Sequence, residues 1–551
     1  MVITKGLLMK IRITPAYNKK IHFADVWPWI AILAVIIAAG FIRFRLLSVP
    51  LERDEGEYAY IAQQMLKGVP PYISAYSMKL PGIYIIYAVL MTIFGQTVSG
   101  IHFGLLIVNA ATIVVLFLLT RKIFGVTEAV IAGSIFAILS LSSQVLGLWA
   151  NTEHFVILPA LIGLLLIYTI DDKLSYIRIF FAGIILGISF IIKQPGIFFI
   201  LFAALYLLIT VISKKPVKWR KLFFLQTLFL SAALIPFIMV CLFFWSHNIF
   251  DKFWFWTFIY PAKYTSFLTL SQAWYLFFTR ITAILKGGYP IWFLAVIGLL
   301  GVVILKKYRK QSVFTICLLI FSFLAVCPGL YFREHYFIFL LPVVSVLGGL
   351  GISLIDDLIK KLNIQMHAIF TAIIVLIALG YSVYDQKFLL FNNPEQISRM
   401  IYGVNPFPES AHIAEFIRNN SNPDDTIAIL GSEPQILFYS ERRSATSYIY
   451  MYPLMELHPY ARNMQLEMIS QIEYAKPRYI MVVNIPFSWL KRPNSENEIF
   501  KWFEVYIDNS YDKVGVIDII SGDRTLYYWN NQAADILAQS QYYIIIFKRR
   551  V

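Results

Sequence analysis

The sequence predicts a mainly α protein: a polytopic transmembrane helical bundle with a C-terminal extracytoplasmic α/β domain. Three observations predict it. The 551 residues are 59% hydrophobic and 14% charged, against roughly 25% charged in soluble globular domains. The deficit is concentrated before residue 390, where apolar runs approaching the ~20 residues needed to cross a bilayer recur. After about residue 386, Asn, Asp, Ser and Pro become frequent and the apolar runs shorten to strand length.

Lysine and arginine orient the apolar runs. Lys5, Lys10, Arg12, Lys19 and Lys20 precede the first, 27–47, and assign the N-terminus to the cytoplasm. No small-residue cleavage site follows them, so this run reads as an anchor. Basic groups recur at Arg121-Lys122, 173–178, 214–221, 306–310 and Lys360-Lys361. Placing all of them in the cytoplasm requires further spans near 100–119, 126–147, 154–170, 178–192, 195–212, 222–246, 288–305, 312–328, 336–355 and 366–385, about eleven in all. The apolar segment 81–94 is short, and a crossing there would turn every later basic group outward, so it reads as re-entrant or surface-lying. A second crossing near 254–278 would compensate for it and raise the count to about thirteen.

An odd number of spans puts residues 386–551 outside. There, candidate strands at Thr426–Leu430, 479–483, Thr525–Trp529 and 542–547 alternate with helical patterns at 410–419, 460–475 and 498–509, which predicts a small α/β domain. The net charge of +15 is explained by topology, and no compact basic module points to nucleic acid. Cys241, Cys317 and Cys327 lie in apolar segments without metal or disulfide spacing, as packing residues do.

Within the transmembrane domain, 1–385, the first outer loop, 48–80, holds the most informative run, Arg53-Asp54-Glu55-Gly56-Glu57-Tyr58-Ala59-Tyr60. Ile61, Ala62, Met65 and Leu66 continue it at helical spacing, which predicts an amphipathic helix along the membrane surface starting near Asp54. Asp54 with Glu57 has the form of a capping pair. A capped carboxylate can still face a cleft, and Asp54 reads as a general base, since a carboxylate positioned to remove a hydroxyl proton contributes ~10²–10⁴ in rate.

Several cations break the positive-inside pattern: Arg43 and Arg45 at the end of the first span, Lys79 closing the loop, Lys193 before Gln194-Pro195-Gly196, and Arg333 beside Glu334 and His335. A cation at an apolar boundary needs an anionic partner or a route to water. A bound phosphate supplies the first, because two close unit charges attract by about 4 kcal/mol at an effective dielectric of 20. His335 suits an acid, a metal ligand, a phosphate donor or a packed polar residue. Asn151-Thr152-Glu153-His154 adds a carboxylate and an imidazole in the next outer loop. Trp254, Phe255, Trp256 and Tyr260 read as an interfacial aromatic belt.

The order of Asp54-Glu55 with Tyr58-Ala59 after the first span, Lys79-Leu80-Pro81-Gly82, the stretch from Gly187 to Lys193, and Arg333 to Tyr336 ahead of Pro342 resembles the C-type-fold (GT-C) membrane glycosyltransferases. The branch resembled contains the protein O-mannosyltransferases and lipid A aminoarabinose transferases. Leu80 stands where that family commonly has proline; Glu433-Pro434 and Tyr439 are similar to the outer domains of related bacterial proteins.

The resemblance implies inverting transfer from a polyprenyl-phosphate sugar to a lipid, glycan or protein hydroxyl at the outer face of the plasma membrane. Asp54, with Glu55, would be the catalytic carboxylate. Lys79, Lys193, Arg333, His335, Arg53 and Tyr58 would surround the substrate and its phosphate, and Glu153 and His154 would serve an acceptor or a divalent metal. Cofactor use does not carry over, since some relatives carry a metal and others need none. Besides the lipid-linked donor, the acceptor and membrane lipids, no partner is implied. A transporter or flippase of a lipid-linked saccharide and a membrane-anchored binding protein are the other classes compatible with such a chain. The lack of a repeat and the placement of ionisable residues at span ends favour the enzyme.

Overall fold

In a computed structural model, which describes residues 23–169, 175–264 and 268–550, each expected span contains a helix, although the one at 126–147 stops at Leu139. In chain order these helices are α1 (Phe23–Arg45), α2 (Arg53–Leu66), α3 (Gly82–Phe94), α4 (Val98–Ile123), α5 (Val126–Leu139), α6 (Thr152–Tyr168), α7 (Tyr176–Ile192), α8 (Ile197–Ile212), α9 (Trp219–Ser246), α10 (Leu270–Lys286), α11 (Tyr289–Ile304), α12 (Arg309–Val326), α13 (Leu341–Lys361) and α14 (His367–Asp385). The chain is a polytopic helical bundle with a C-terminal α/β unit. Lys5 to Lys20 and Lys173 lie outside the described residues.

Among the described residues seven helices are long and apolar enough to span a membrane; α3, α5, α6 and α7 are apolar but shorter. The bundle is layered around α13. The stretch Glu334–Lys361 is 83% buried over its apolar window, whereas those of α1 and α14 are 11% buried and face outward. The segment near 254–278 does not form a simple crossing. Phe250–Trp254 continues through a π turn, Phe255–Ile259, into Tyr260–Tyr264. After it, α10 meets α11 at 104° and exposes Trp274, Tyr275 and Phe278.

The α/β unit carries α15 (Phe407–Asn419), α16 (Pro434–Ser440), α17 (Ala461–Ala475) and α18 (Glu498–Ser510). Its strands are β1 (Thr426–Leu430), β2 (Arg443–Ser444), β3 (Tyr479–Asn484), β4 (Tyr511–Ile519), β5 (Thr525–Trp529) and β6 (Tyr543–Arg549). They form one mixed sheet in the order β2-β1-β3-β6-β4-β5. The parallel part is β2-β1-β3, and β6, β4 and β5 add antiparallel. Strand β4 escaped the sequence reading because Lys513, Gly515 and Asp518 interrupt its apolar run. In the sheet Asp518 is buried and accepts from the backbone N–H groups of Gln539 (2.6 Å) and Ser540 (3.1 Å), which makes a carboxylate tolerable there.

One expectation about position fails. Helix α2 does not lie on an open surface; Arg53 and Glu55 to Gln64 are all buried. Helix α3 packs on one side of it and α16 on the other. At Gly56 a Cβ would stand 2.5 Å from the Gln435 backbone nitrogen, so glycine is what lets the α/β unit close onto α2.

Candidate active site

The first turn of α2 sets which carboxylate faces where. Its N-cap is Glu52, in a reciprocal capping box with Glu55: the Glu55 N–H donates to Glu52 Oε1 (3.1 Å) and the Glu52 N–H to Glu55 Oε2 (3.2 Å). The capping pair expected of Asp54 and Glu57 is therefore formed two residues earlier, by Glu52 and Glu55. Asp54 is left free to point outward, and Glu57, three residues on, shares its face.

Both carboxylates converge on Lys79. Its ammonium lies 3.0 Å from Asp54 Oδ1 and 2.5 Å from Glu57 Oε2, 4.8 Å from the Tyr58 ring centre and 5.4 Å from that of Tyr450. The Tyr450 hydroxyl, from the α/β unit, donates to Asp54 Oδ1 at 2.5 Å. Lys79 is held here by close backbone packing just after it: a Cβ on Gly82 would stand 2.5 Å from the Ile191 carbonyl oxygen. This ties the start of α3 to the end of α7, where Lys193 begins the next loop. Leu80 is fully buried and does not disturb this arrangement.

These residues open on a cavity of about 580 Å³ between the bundle and the α/β unit. Asp54, Glu57, Lys79, Lys193, Arg333 and His335 all line it. Lys193 pairs with Glu153, which sits behind it in the first turn of α6. It also lies 4.3 Å from the centre of the Tyr336 ring. His335 Nε2 is 4.0 Å from the same Glu153 carboxylate. Both lysines thus have protein carboxylates beside them.

Electrostatics separate the carboxylates further. Burial resists ionisation of Asp54, but Lys79 above all, then His335, the Tyr450 hydroxyl and Arg333, outweigh it and hold the carboxyl well below the usual range. For Glu57 burial wins over Lys79, and nearby Asp54 adds to it, so its pKa is raised. Burial likewise opposes charge on Lys79, yet Asp54 and Glu57 push its pKa above the ordinary lysine value. The site therefore presents an ionised Asp54 beside a protonated Lys79.

Other sequence candidates fall elsewhere. Glu55, expected to share catalysis with Asp54, does not line the cavity. It is fully buried, accepts from the Ala150 N–H and lies 2.9 Å from His102 Nε2. Tyr58 packs on Tyr84 and Tyr87 rather than opening on the cavity. Arg53 lines the cavity but is engaged by the α/β unit, through Glu433 at 2.6 Å, Asn405 Oδ1 at 3.1 Å and the Ser432 carbonyl. Glu153 and His154 diverge, one toward Lys193 and the other toward Asn109. Among the described residues no three His, Cys, Asp or Glu side chains gather into a metal site. Arg43 and Arg45 meet backbone carbonyls, of Ser140 and Gly147 and of Leu389.

The aromatic belt reading is corrected in part. Trp256 and Tyr260 are buried and line the cavity, whereas Trp254 is exposed; Trp256 lies within the π turn and Tyr260 directly follows it. Glu57, Tyr450 and Tyr452 were missed as cavity residues. For Glu57 the i+3 spacing from Asp54 was a usable signal, whereas the tyrosines lie nearly 400 positions away with no local motif.

With this geometry in hand, comparisons place the fold. ArnT from Cupriavidus metallidurans in the apo state superposes with a TM-score of 0.55 at 13% identity, covering 95% of this chain and 98% of that one. The Archaeoglobus fulgidus oligosaccharyltransferase in the apo form gives 0.51 at 14% identity, covering 94% and 76%. The chain shares the fold of these two structures. Residues 79–245, from Lys79 through most of α9, match a family model described as dolichyl-phosphate-mannose-protein mannosyltransferase. A search of the curated proteins finds no match to the chain.

Proposed function

We propose that the chain is an inverting glycosyltransferase that moves a sugar from a polyprenyl-phosphate donor to a hydroxyl-bearing acceptor, a glycolipid, glycan or protein, with Asp54 as general base. The observation that carries this reading is the convergence of an ionised Asp54 with Lys79, Lys193, Arg333 and His335 on one cavity at the foot of the α/β unit. The acceptor oxygen attacks the anomeric carbon, its proton passes to Asp54, and the bond from that carbon to the phosphate oxygen breaks. A single displacement of this kind inverts the anomeric centre. The departing polyprenyl phosphate is stabilised by Lys193 and Arg333, since preorganised cations act where charge develops, and His335 offers it a hydrogen-bond donor. Lys79 keeps Asp54 ionised and so ready to accept the proton.

ArnT from C. metallidurans has also been solved bound to undecaprenyl phosphate, and that form superposes on this chain with a TM-score of 0.53 at 13% identity, which supports a lipid-phosphate donor here. In this reading the N-terminus is cytoplasmic, and residues 386–551 with the cavity face outward from the plasma membrane. The test is to incubate the purified full chain with a panel of polyprenyl-phosphate sugars and acceptors, and to follow release of the carrier phosphate. The wild type should release it and Asp54→Asn should do so ~10²–10⁴-fold more slowly. Undiminished transfer by the variant overturns the assignment of the base, and labelling of the α/β unit from the cytosolic side alone overturns the orientation.

A further inference from the structure

A second cleft, of about 370 Å³, adjoins the first and shares its wall. Tyr76 and Trp256 line both, stacked at 4.9 Å and 20°. The cleft runs between the helical segment beginning at Phe250 and the start of α17. Asp251, Lys252, Phe255 and Trp256 supply one side. Tyr460, Asn463, Met464 and Glu467, at the spacing that puts them on one helix face, supply the other. Apart from Tyr76 and Trp256, none of these residues lines the Asp54 cavity.

The chemistry of the lining is specific. Glu467 accepts from the hydroxyls of Tyr76 (2.9 Å) and Tyr448 (2.7 Å). The Lys252 ammonium lies 3.4 Å from the Tyr76 hydroxyl. The Tyr460 ring meets Phe255 edge-on at 5.3 Å. Flat aromatic faces interleaved with a carboxylate, an amide and an ammonium match a sugar ring, whose axial C–H groups form an apolar face and whose hydroxyls both donate and accept. A hydrocarbon chain would leave Asp251, Lys252 and Glu467 unsolvated. A phosphate would meet two carboxylates for one lysine.

We infer that this cleft is an acceptor subsite for a saccharide, holding a sugar unit away from the hydroxyl presented to Asp54, with the chain passing over the Tyr76–Trp256 wall. This rests on the transferase reading above and names its acceptor class. A saccharide held in both spaces is positioned by binding energy remote from the reacting bond.

The experiment titrates hexose oligosaccharides of one to four units into the full chain in detergent, by calorimetry, for wild type, Tyr460→Ala, Glu467→Gln and Asp54→Asn. Oligosaccharide affinity should fall about tenfold in Tyr460→Ala, the scale of one lost aromatic contact, and also fall in the surface variant Glu467→Gln. In transfer assays the same variants should raise the acceptor KM while leaving kcat within about twofold. Asp54→Asn should keep wild-type affinity. Unchanged affinity in both cleft variants overturns the subsite, as does displacement of the oligosaccharide from the cleft by an unglycosylated peptide acceptor at lower concentration. If Asp54→Asn transfers normally while the cleft variants lose oligosaccharide, the subsite stands and only the base is overturned.

Discussion

On one side of α2 the Asp54 carboxylate meets Lys79, the Tyr450 hydroxyl and an open cavity. On the other side the Glu55 carboxylate is shut in between His102, the Ala150 N–H and its own capping box. The two residues are neighbours in sequence and chemically almost the same. One helical step of about 100° separates a side chain with 25% of its surface exposed from one with none. Every acceptor position observed around Glu55 is taken up by the fold, whereas Asp54 borders space that a substrate can enter. A carboxylate becomes available for proton transfer through what is left uncommitted around it.

Exchanging the charges on the two faces tests that contrast most strongly. Asp54→Asn is expected to cost ~10²–10⁴ in transfer, with a loss of stability limited by Glu57, which stays beside Lys79 as its counter-charge. Glu55→Gln is expected to cost ~1–3 kcal/mol of stability, because an amide NH₂ replaces an acceptor that the buried cluster uses. Transfer rates and melting curves on both variants suffice. Equal loss of stability in the two would erase the distinction.

Arg53 joins the two regions, and its removal should damage the fold rather than the chemistry. Arg53→Ala leaves Glu433 buried without its cation, at an expected ~3–5 kcal/mol, read as a lower midpoint for unfolding of the α/β unit in denaturant. Native stability in that variant would detach α2 from the outer unit.

The Asp54 side is sharpened by pH. Its pKa is lowered in the folded chain, so the ionised form stabilises the fold above the unfolded value near ~4, and that contribution is lost only as pH falls toward the depressed folded value. Wild-type transfer should therefore show no acid limb from Asp54 down to about pH 5. In Lys79→Met burial is uncompensated, and an acid limb should appear roughly two units or more higher than in the wild type. A pH profile with no new limb would mean that Lys79 does not govern the ionisation of Asp54.

The smallest effect probes how closely the α/β unit sits on α2. Alanine at a helix-interior glycine ordinarily stabilises by roughly 1 kcal/mol. Here Gly56→Ala drives a methyl into the Gln435 backbone and is expected to destabilise by ~1–3 kcal/mol, with a fall in transfer as Tyr450 withdraws from Asp54. A stabilised Gly56→Ala would show that the two elements part easily.

Much of this was legible in the residues. Helix positions in the bundle follow from apolar runs that have no other stable arrangement in a bilayer, where backbone groups must be satisfied within the segment. Strands β1 and β5 follow from short apolar segments between turn residues. Strand β4 was hidden because its buried Asp518 is satisfied by the loop at Gln539, an interaction with no local signature. At the site, Asp54, Lys79, Lys193 and Arg333 could be named because charged residues at span ends are costly and therefore conspicuous. Glu55 was indistinguishable from Asp54, and Tyr450 was invisible.

The sequence by itself determined the class of solvent, the order of helices, the change of composition near residue 386 and the set of charges held at the span ends. These depend on local composition and on the free energy of placing each segment in lipid or water. Only the tertiary structure decided which carboxylate opens on a cavity, which lysine stands against it and which tyrosines close over it. Those outcomes depend on the angle at which α2 starts and on backbones meeting at Gly56 and Gly82, where the partners come from chain segments hundreds and about a hundred residues away.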